Sequence, residues 1–432
     1  MKNNPLINNA KWIIACKVVQ SLIQLVVGML SARYLGPSNY GLISYASSVV
    51  AFVIPVMQLG LQFTLVQEYV DNPEKEGQIA GTALVMNLLS AVACMIGVTS
   101  FAMVVNRGET DTIIVCALYS TSLFFQGVEM LQYWFQAKLL SKYSSLAMLC
   151  SYLVVSVYKI FLLVTQKNVY WFALSHAVEY GVTGLLLVVA YYRNGAQKLR
   201  FSGKIAREMI GKSAYYISAA LMVVLYSNTA NIMLKLISGE TENGYYAAAV
   251  TASVVVQFVY LAIIDSARPV ILESKKTDQK QYEKNMARLY CVILYLTLAQ
   301  CIVFTVFAKL IIQILYGADY LAAVPVLQIF MWQHIFSFMG WIRNIWILAE
   351  EKHSLLPVIN LCGVVVNVAL NLCLIPRWGA CGAAVASVLT QVVTNFVVGF
   401  IMKDIRPNNR LMLAGLNPKF AWKTLREFVE KR

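Results

Sequence analysis

Apolar runs of about twenty residues, parted by short polar punctuation, recur along the whole chain. Such a run as a helix crosses the roughly 30 Å hydrocarbon core of a bilayer. The runs fall near 11–33, 41–62, 80–105, 112–136, 145–165, 170–192, 214–237, 245–267, 289–310, 323–349, 355–375 and 380–402. Twelve spans put both termini on one side. Inside several of them, polar residues recur in steps of three and four, which lines them along one helix face. The first span carries Lys17, Ser21 and Gln24, and the second Ser44, Ser48, Gln58 and Gln62. The fourth carries Tyr119, Ser122, Gln126, Glu129, Tyr133 and Gln136; the seventh Ser227, Asn231 and Lys235; the eleventh Asn360, Asn367 and Asn371. Lipid cannot satisfy such faces, so they meet other helices or water. A seam of interhelical hydrogen bonds, about 0.6 kcal/mol per pair, is one reading. A hydrated cavity is the other.

Ionisable residues favour the cavity. Lys17, Glu129, Lys159, His176, Glu179, Asp265 and Arg343 fall within spans, where a charge costs several kcal/mol unless paired or hydrated. Asp265 has Arg268 one turn away, so a local ion pair near a helix end is its simpler reading.

Composition agrees with the span count. Of 432 residues, 59% are hydrophobic and 13% charged, against roughly 45–50% and about 25% in soluble domains. A disordered chain and a disulfide-stapled secreted module are thereby excluded. The nine cysteines lie in apolar runs without a C-x-x-C pair, and the three histidines are widely spaced, so no metal site is expected. No cleavable signal is read at the N-terminus. Walker A, H-E-x-x-H and G-x-S-x-G motifs are absent from the sequence, and the connections on the side away from the termini are too short to hold a catalytic domain. An enzyme is therefore not expected.

Charge then orients the chain. Of 35 Lys and Arg residues, 26 fall on the side of the termini, 5 on the other and 4 inside spans. By the positive-inside rule both termini are cytoplasmic. The net charge of +14 calls for anionic lipid headgroups as its partner, and not for nucleic acid. The tail places Phe420, Trp422 and Phe428 among basic residues at helical spacing, which predicts a short amphipathic helix over 418–429; Gly203 to Lys212 is a second candidate for the membrane surface.

Six spans precede the basic segment 193–212 and six follow, and the halves echo each other. After span one stands LGPSNYG, Leu35 to Gly41, and after span seven SGETENG, Ser238 to Gly244. Each has glycines five apart and a cation one turn earlier, Arg33 or Lys235. A parallel repeat follows, as some transporters use, with an N-terminal bundle over 1–200, a C-terminal bundle over 201–403 and a tail over 404–432. Pro55, Pro325 and Pro357 within or near span starts would bend these helices.

Several of these segments resemble those of the Wzx-type oligosaccharide flippases, in the superfamily that also holds multidrug exporters of the MATE type. They are Ala32 to Gly41 (ARYLGPSNYG), Asn72 to Glu76 (NPEKE), Tyr133 to Lys138 (YWFQAK), Ile232 to Leu234, Leu315 to Tyr320 (LYGADY) and Asn371 to Ala384 (NLCLIPRWGACGAA). The resemblance runs from about Asn9 to Lys403. It implies an all-α integral membrane protein with twelve transmembrane helices in two six-helix bundles around a central cavity. It further implies transfer of an undecaprenyl-pyrophosphate-linked oligosaccharide from the inner to the outer leaflet of a bacterial cell membrane. No cofactor is implied; a proton or sodium gradient is the candidate drive. Glycan polymerase and chain-length proteins are the implied protein partners.

A cargo carrying a pyrophosphate needs cations along a hydrated path. Arg343, Lys159 and Lys17 within spans, with Lys235 and Arg33 near outer helix ends, are the candidates. Arg343 leads them, because a guanidinium fork grips phosphate oxygens in a bidentate way. Glu129, Glu179 and Asp265 are candidates for coupling to a cation gradient, and Gln24, Gln58, Gln126, Asn231 and Asn367 for polar cavity lining. The drug exporters of this superfamily often carry an acid in the first span, where this chain has Lys17. A cation-coupled small-molecule exporter is therefore the second expectation, and a non-transport assembly scaffold the third.

Overall fold

The computed structural model describes residues 5–417 and 420; the rest of the expected tail helix over 418–429 lies outside the described residues. The described residues are helical throughout, without a strand. The chain divides into two compact units, Met1–Asn228 and Thr229–Arg432.

The first unit holds α1 (Pro5–Met57), α2 (Leu65–Asp71), α3 (Glu76–Val105), α4 (Thr110–Ser120), α5 (Ser122–Gln126), α6 (Gln132–Ala137), α7 (Ser141–Val164) and α8 (Val169–Arg193). Helix α9 (Gly203–Ser238) runs through the division between units. The second unit continues with α10 (Glu240–Ser253), α11 (Gln257–Thr277), α12 (Gln279–Leu315), α13 (Ala323–Phe330), α14 (Gln333–Ala349), α15 (Leu355–Val392), α16 (Val398–Ile401) and α17 (Arg406–Leu416).

Nine helical stretches among the described residues are long and apolar enough to cross a membrane. Eleven of the twelve expected spans fall in them, and the remaining one does not, each for a local reason. Cys16–Met57 and Leu355–Ile401 each contain two spans, because α1 breaks at Gly36 and α15 at Gly379. The span expected over 323–349 is cut at Met331 and Trp332 into helices of 8 and 17 residues, each too short to qualify alone.

The segment Gly203 to Lys212 differs from its expectation as a separate surface helix. It forms the first turns of α9, continuous with the following span. Met209 and Ser213 are buried, Ser213 Oγ donates to the Leu59 carbonyl at 2.8 Å, and Lys212 Nζ pairs with Glu68 at 2.5 Å. Just before it, the chain lies along the start of α3. Arg200 N–H donates to the Gly77 carbonyl at 2.9 Å, and Ser202 N–H to Thr82 Oγ1 at 3.0 Å. A side chain at Gly81 would bring its Cβ within 2.8 Å of the Arg200 carbonyl carbon. These anchors tie residues up to Ser213 to the first unit, whereas the sequence divided the chain at 200.

The internal echo extends to backbone geometry. Gly36 has φ 71°, ψ 170° and Gly239 has φ 92°, ψ 174°, a region open essentially to glycine alone. Further along, Gly108 and Gly317 share a positive φ in the turns after the third and ninth spans. Helices α6 and α14 end alike. Lys138, Leu139 and Leu140 donate to the carbonyls of Trp134, Gln136 and Phe135; Glu350, Glu351 and Lys352 donate to those of Trp346, Leu348 and Ile347. Leu139 (φ 58°) and Glu351 (φ 57°) take the left-handed position in this motif. Both halves thus reverse the chain by the same local devices.

Candidate functional site

In the first unit, local chemistry breaks the fourth span where its polar face is densest. The hydroxyls of Ser120, Thr121 and Ser122 each donate to the carbonyl three residues back, at 2.8, 2.6 and 2.7 Å. Such bonds compete with the helix ladder. Helix α4 stops there, α5 is a single turn, and residues Gly127–Leu131 wind as a 3-10 helix. Glu129 lies in that tight turn, half-buried.

Helices α7 and α8 bring three more ionisable groups to it. His176 and Glu179 lie one turn apart on α8, with Nδ1 3.7 Å from the carboxylate. Ser151 Oγ from α7 donates to the Glu179 backbone carbonyl, which also accepts from Thr183 Oγ1 at 2.9 Å. Lys159 on α7 acts electrostatically on both Glu179 and His176. Glu129 interacts electrostatically with Glu179. Tyrosines close the cluster. The Tyr119 ring lies 4.6 Å from the His176 ring, and Tyr180 lies within the field of both carboxylates. Two carboxylates, an imidazole and an ammonium therefore share one apolar surround. The ammonium offsets one carboxylate, and the second must be protonated, hydrated or paired with a mobile cation.

The second unit uses its polar groups differently. Arg343 on α14 is buried, and its Nη1 donates to the Thr394 carbonyl at 2.8 Å. Thr394 belongs to a π-helical turn, Val393–Val397, which frees a carbonyl from the regular ladder. Asn371 Nδ2 donates to Asn367 Oδ1 at 2.9 Å, and Asn367 Nδ2 to Thr390 Oγ1 at 3.3 Å, joining the two halves of α15. His334 is buried between Phe330 and Phe338.

The other predicted residues scatter. Lys17 and Gln24 are exposed on the first half of α1, as is Arg33 at its end. Gln58 is half-buried before the Leu59–Gly60 break and Gln126 is buried at the end of α5. Lys235 is buried at the end of α9, with Asn231 half-buried one turn before. Asp265 is exposed and pairs with Arg268 at 3.3 Å, the local ion pair its spacing implied. Of the coupling candidates, the structure brings Glu129 and Glu179 together.

Sequence reasoning missed two acidic residues. Glu76 is buried, accepts from Trp134 Nε1 at 2.8 Å and pairs with Lys138, so the NPEKE and YWFQAK segments meet in one corner. Glu242 Oε2 accepts the Ala380 N–H at 2.6 Å, sealing the break at Gly379. Their positions in the first turn of a helix, α3 for Glu76 and α10 for Glu242, were the available signal, since a carboxylate there favours free helical N–H groups.

The sequence finds no match among curated proteins, but solved structures share the fold. A lipid II flippase, MurJ, in an inward closed conformation superposes with a TM-score of 0.70 at 14% identity, over 97% of this chain and 99% of the other. A multidrug resistance MATE family transporter of the MOP superfamily, inward-facing, gives 0.68 at 14% identity, over 91% and 95%. An outward-facing MATE family transporter gives 0.55 at 15% identity, over 94% and 96%. The chain shares its all-helical fold with these proteins. Residues 6–275, more than half of the chain, match the profile of the family described as polysaccharide biosynthesis protein, and the protein belongs to that family.

Proposed function

We propose that the protein is a flippase that moves an undecaprenyl-pyrophosphate-linked oligosaccharide from the inner to the outer leaflet of a bacterial cell membrane by alternating access. Membership of the polysaccharide biosynthesis family carries this reading; the fold shared with a lipid II flippase is consistent with it. The cation bias supports cytoplasmic termini in this reading. Glycan polymerase and chain-length proteins would act on the product.

The cationic residues divide by role in this reading. Lys17, Lys159, Arg33 and Lys235 compensate the pyrophosphate along its path. Arg343, bonded to the Thr394 carbonyl, adds its charge to the same path. Glu129 and Glu179 exchange a proton or sodium ion during the cycle. Asp265, held by Arg268, is set aside from coupling.

A cation-coupled exporter of small molecules is the second reading, favoured by the half-buried carboxylate pair and the fold shared with MATE transporters. Clean deletion of the gene separates the two. A flippase predicts loss of surface polysaccharide with lipid-linked repeat units accumulating in the inner leaflet. Unchanged surface glycan with altered dye or drug tolerance would instead establish the exporter.

A further inference from the structure

The turns after the first, third and fifth spans enclose a cleft of about 380 Å³ in the first unit. That volume is within the roughly 300–1,000 Å³ of small-molecule sites. Tyr34, Asn39, Asp111, Lys167, Asn168 and Tyr170 line it. Its geometry is held from within. Tyr170 Oη donates to Asp111 Oδ1 at 2.6 Å, Tyr34 Oη donates to the Lys167 carbonyl at 3.1 Å, and the Tyr34 ring stacks on Phe172 at 5.7 Å. Asn39 Nδ2 is engaged by the Leu35 carbonyl at 3.0 Å, and Asn168 sits at the start of α8 without capping it with its side chain.

The second unit shows what this place looks like when closed. By the register of Gly36 and Gly239, Asn39 corresponds to Glu242. By the register of the turns at Gln166 and Gly379, Lys167 corresponds to Ala380. In the second unit Glu242 bonds the Ala380 N–H at 2.6 Å. In the first unit, the shorter Asn39 turns to its own helix, and the cleft stands in that place.

We propose that this cleft binds the saccharide portion of the transported lipid. The proposal rests on the flippase reading for its biological setting. A pyranose presents a ring of hydroxyl donors and acceptors and an apolar C–H face. The cleft matches both, with one carboxylate, two amides and one ammonium beside two tyrosine rings, each apolar in body and polar at the tip. A phosphate would require more than the single lysine here, and an acyl chain would leave Asp111 and Lys167 desolvated without compensation. The turns that form it lie on the outer side by the charge rule, so it receives sugar after transfer across the membrane.

The test is saturation-transfer NMR on the full-length protein in lipid nanodiscs. The probe is oligosaccharide released by mild acid from the host's own surface polysaccharide. Transfer to sugar ring protons is expected, reduced at least fivefold by Asp111→Ala and about twofold by Tyr170→Phe, which keeps the ring and removes its hydrogen bond. No transfer with the native protein, or equal transfer in both variants, overturns the proposal. The deletion experiment keeps the two readings apart. If deletion abolishes surface glycan while oligosaccharide fails to bind, the cleft is wrong and the flippase stands. If oligosaccharide binds in the cleft while deletion leaves surface glycan intact, the cleft stands as a saccharide site and the flippase reading falls.

Discussion

The two units share their turns but not their charges. Gly36 and Gly239 hold the same rare backbone conformation, and α6 and α14 end in the same hydrogen-bonded motif. Counted from matching turns, however, His176 and Glu179 fall where the second unit has Leu389 and Val392, and Glu129 falls where it has Trp341. Even the corners after Trp134 and Trp346 differ in sign. Lys138 follows Trp134 and pairs with Glu76, whereas Glu350 follows Trp346 and pairs with Lys275 at 2.6 Å. The turn geometry is demanded by chain reversal and tolerates few residues. The helix faces between turns are free to diverge, and only the first unit has gathered both carboxylates around one histidine and one lysine.

Three experiments would break or sharpen this contrast. The largest effect is expected at the mixed-charge cluster. Glu179→Gln should reduce transport in proteoliposomes more than tenfold with normal insertion, whereas Leu389→Ala and Val392→Ala at the matching positions should stay within about twofold, a gap of at least about fivefold, or about 1 kcal/mol in rate terms. Comparable losses in both units would remove the asymmetry.

Stability at these two corners comes next. Lys138→Ala leaves buried Glu76 with Trp134 as its remaining described partner, at a cost of about 2 kcal/mol after discounting the exposed part of the lysine. Glu350→Ala leaves Lys275 beside the Tyr282 ring, with its ammonium 4.8 Å from the centroid, and should cost about 1 kcal/mol. Thermal unfolding of the purified protein should therefore show the larger drop for Lys138→Ala; a larger drop for Glu350→Ala contradicts the burial argument.

The smallest difference is the one between the repeated turns themselves. Gly36→Ala and Gly239→Ala should each cost about 1–3 kcal/mol and lower the melting temperature by similar amounts. Unequal shifts, with one variant near wild type, would show that the shared dihedrals do not reflect a shared structural demand.

Much of this architecture was legible in the residues, and for a definite reason. Lipid cannot hydrogen-bond a backbone, so each crossing must be a long apolar helix and announces itself in hydropathy. The counting differs from nine stretches to twelve spans because Gly36 and Gly379 divide α1 and α15, each one continuous stretch, into two spans, and the Met331–Trp332 turn cuts another span into short helices. The repeat was visible at Gly36 and Gly239 because a positive φ with extended ψ selects glycine, a requirement of the local chain. The faces of the polar stripes were also readable, since helical spacing sets them. What meets a face is a separate matter. Lys159 beside Glu179, Arg343 on the carbonyl of a π-helical turn, Glu242 across to Ala380 and Glu76 under Trp134 all join residues distant along the chain. Periodicity assigns a residue its side of a helix and carries no information about which helix packs there; packing decided those partners, and with them which charges became chemistry and which became structure.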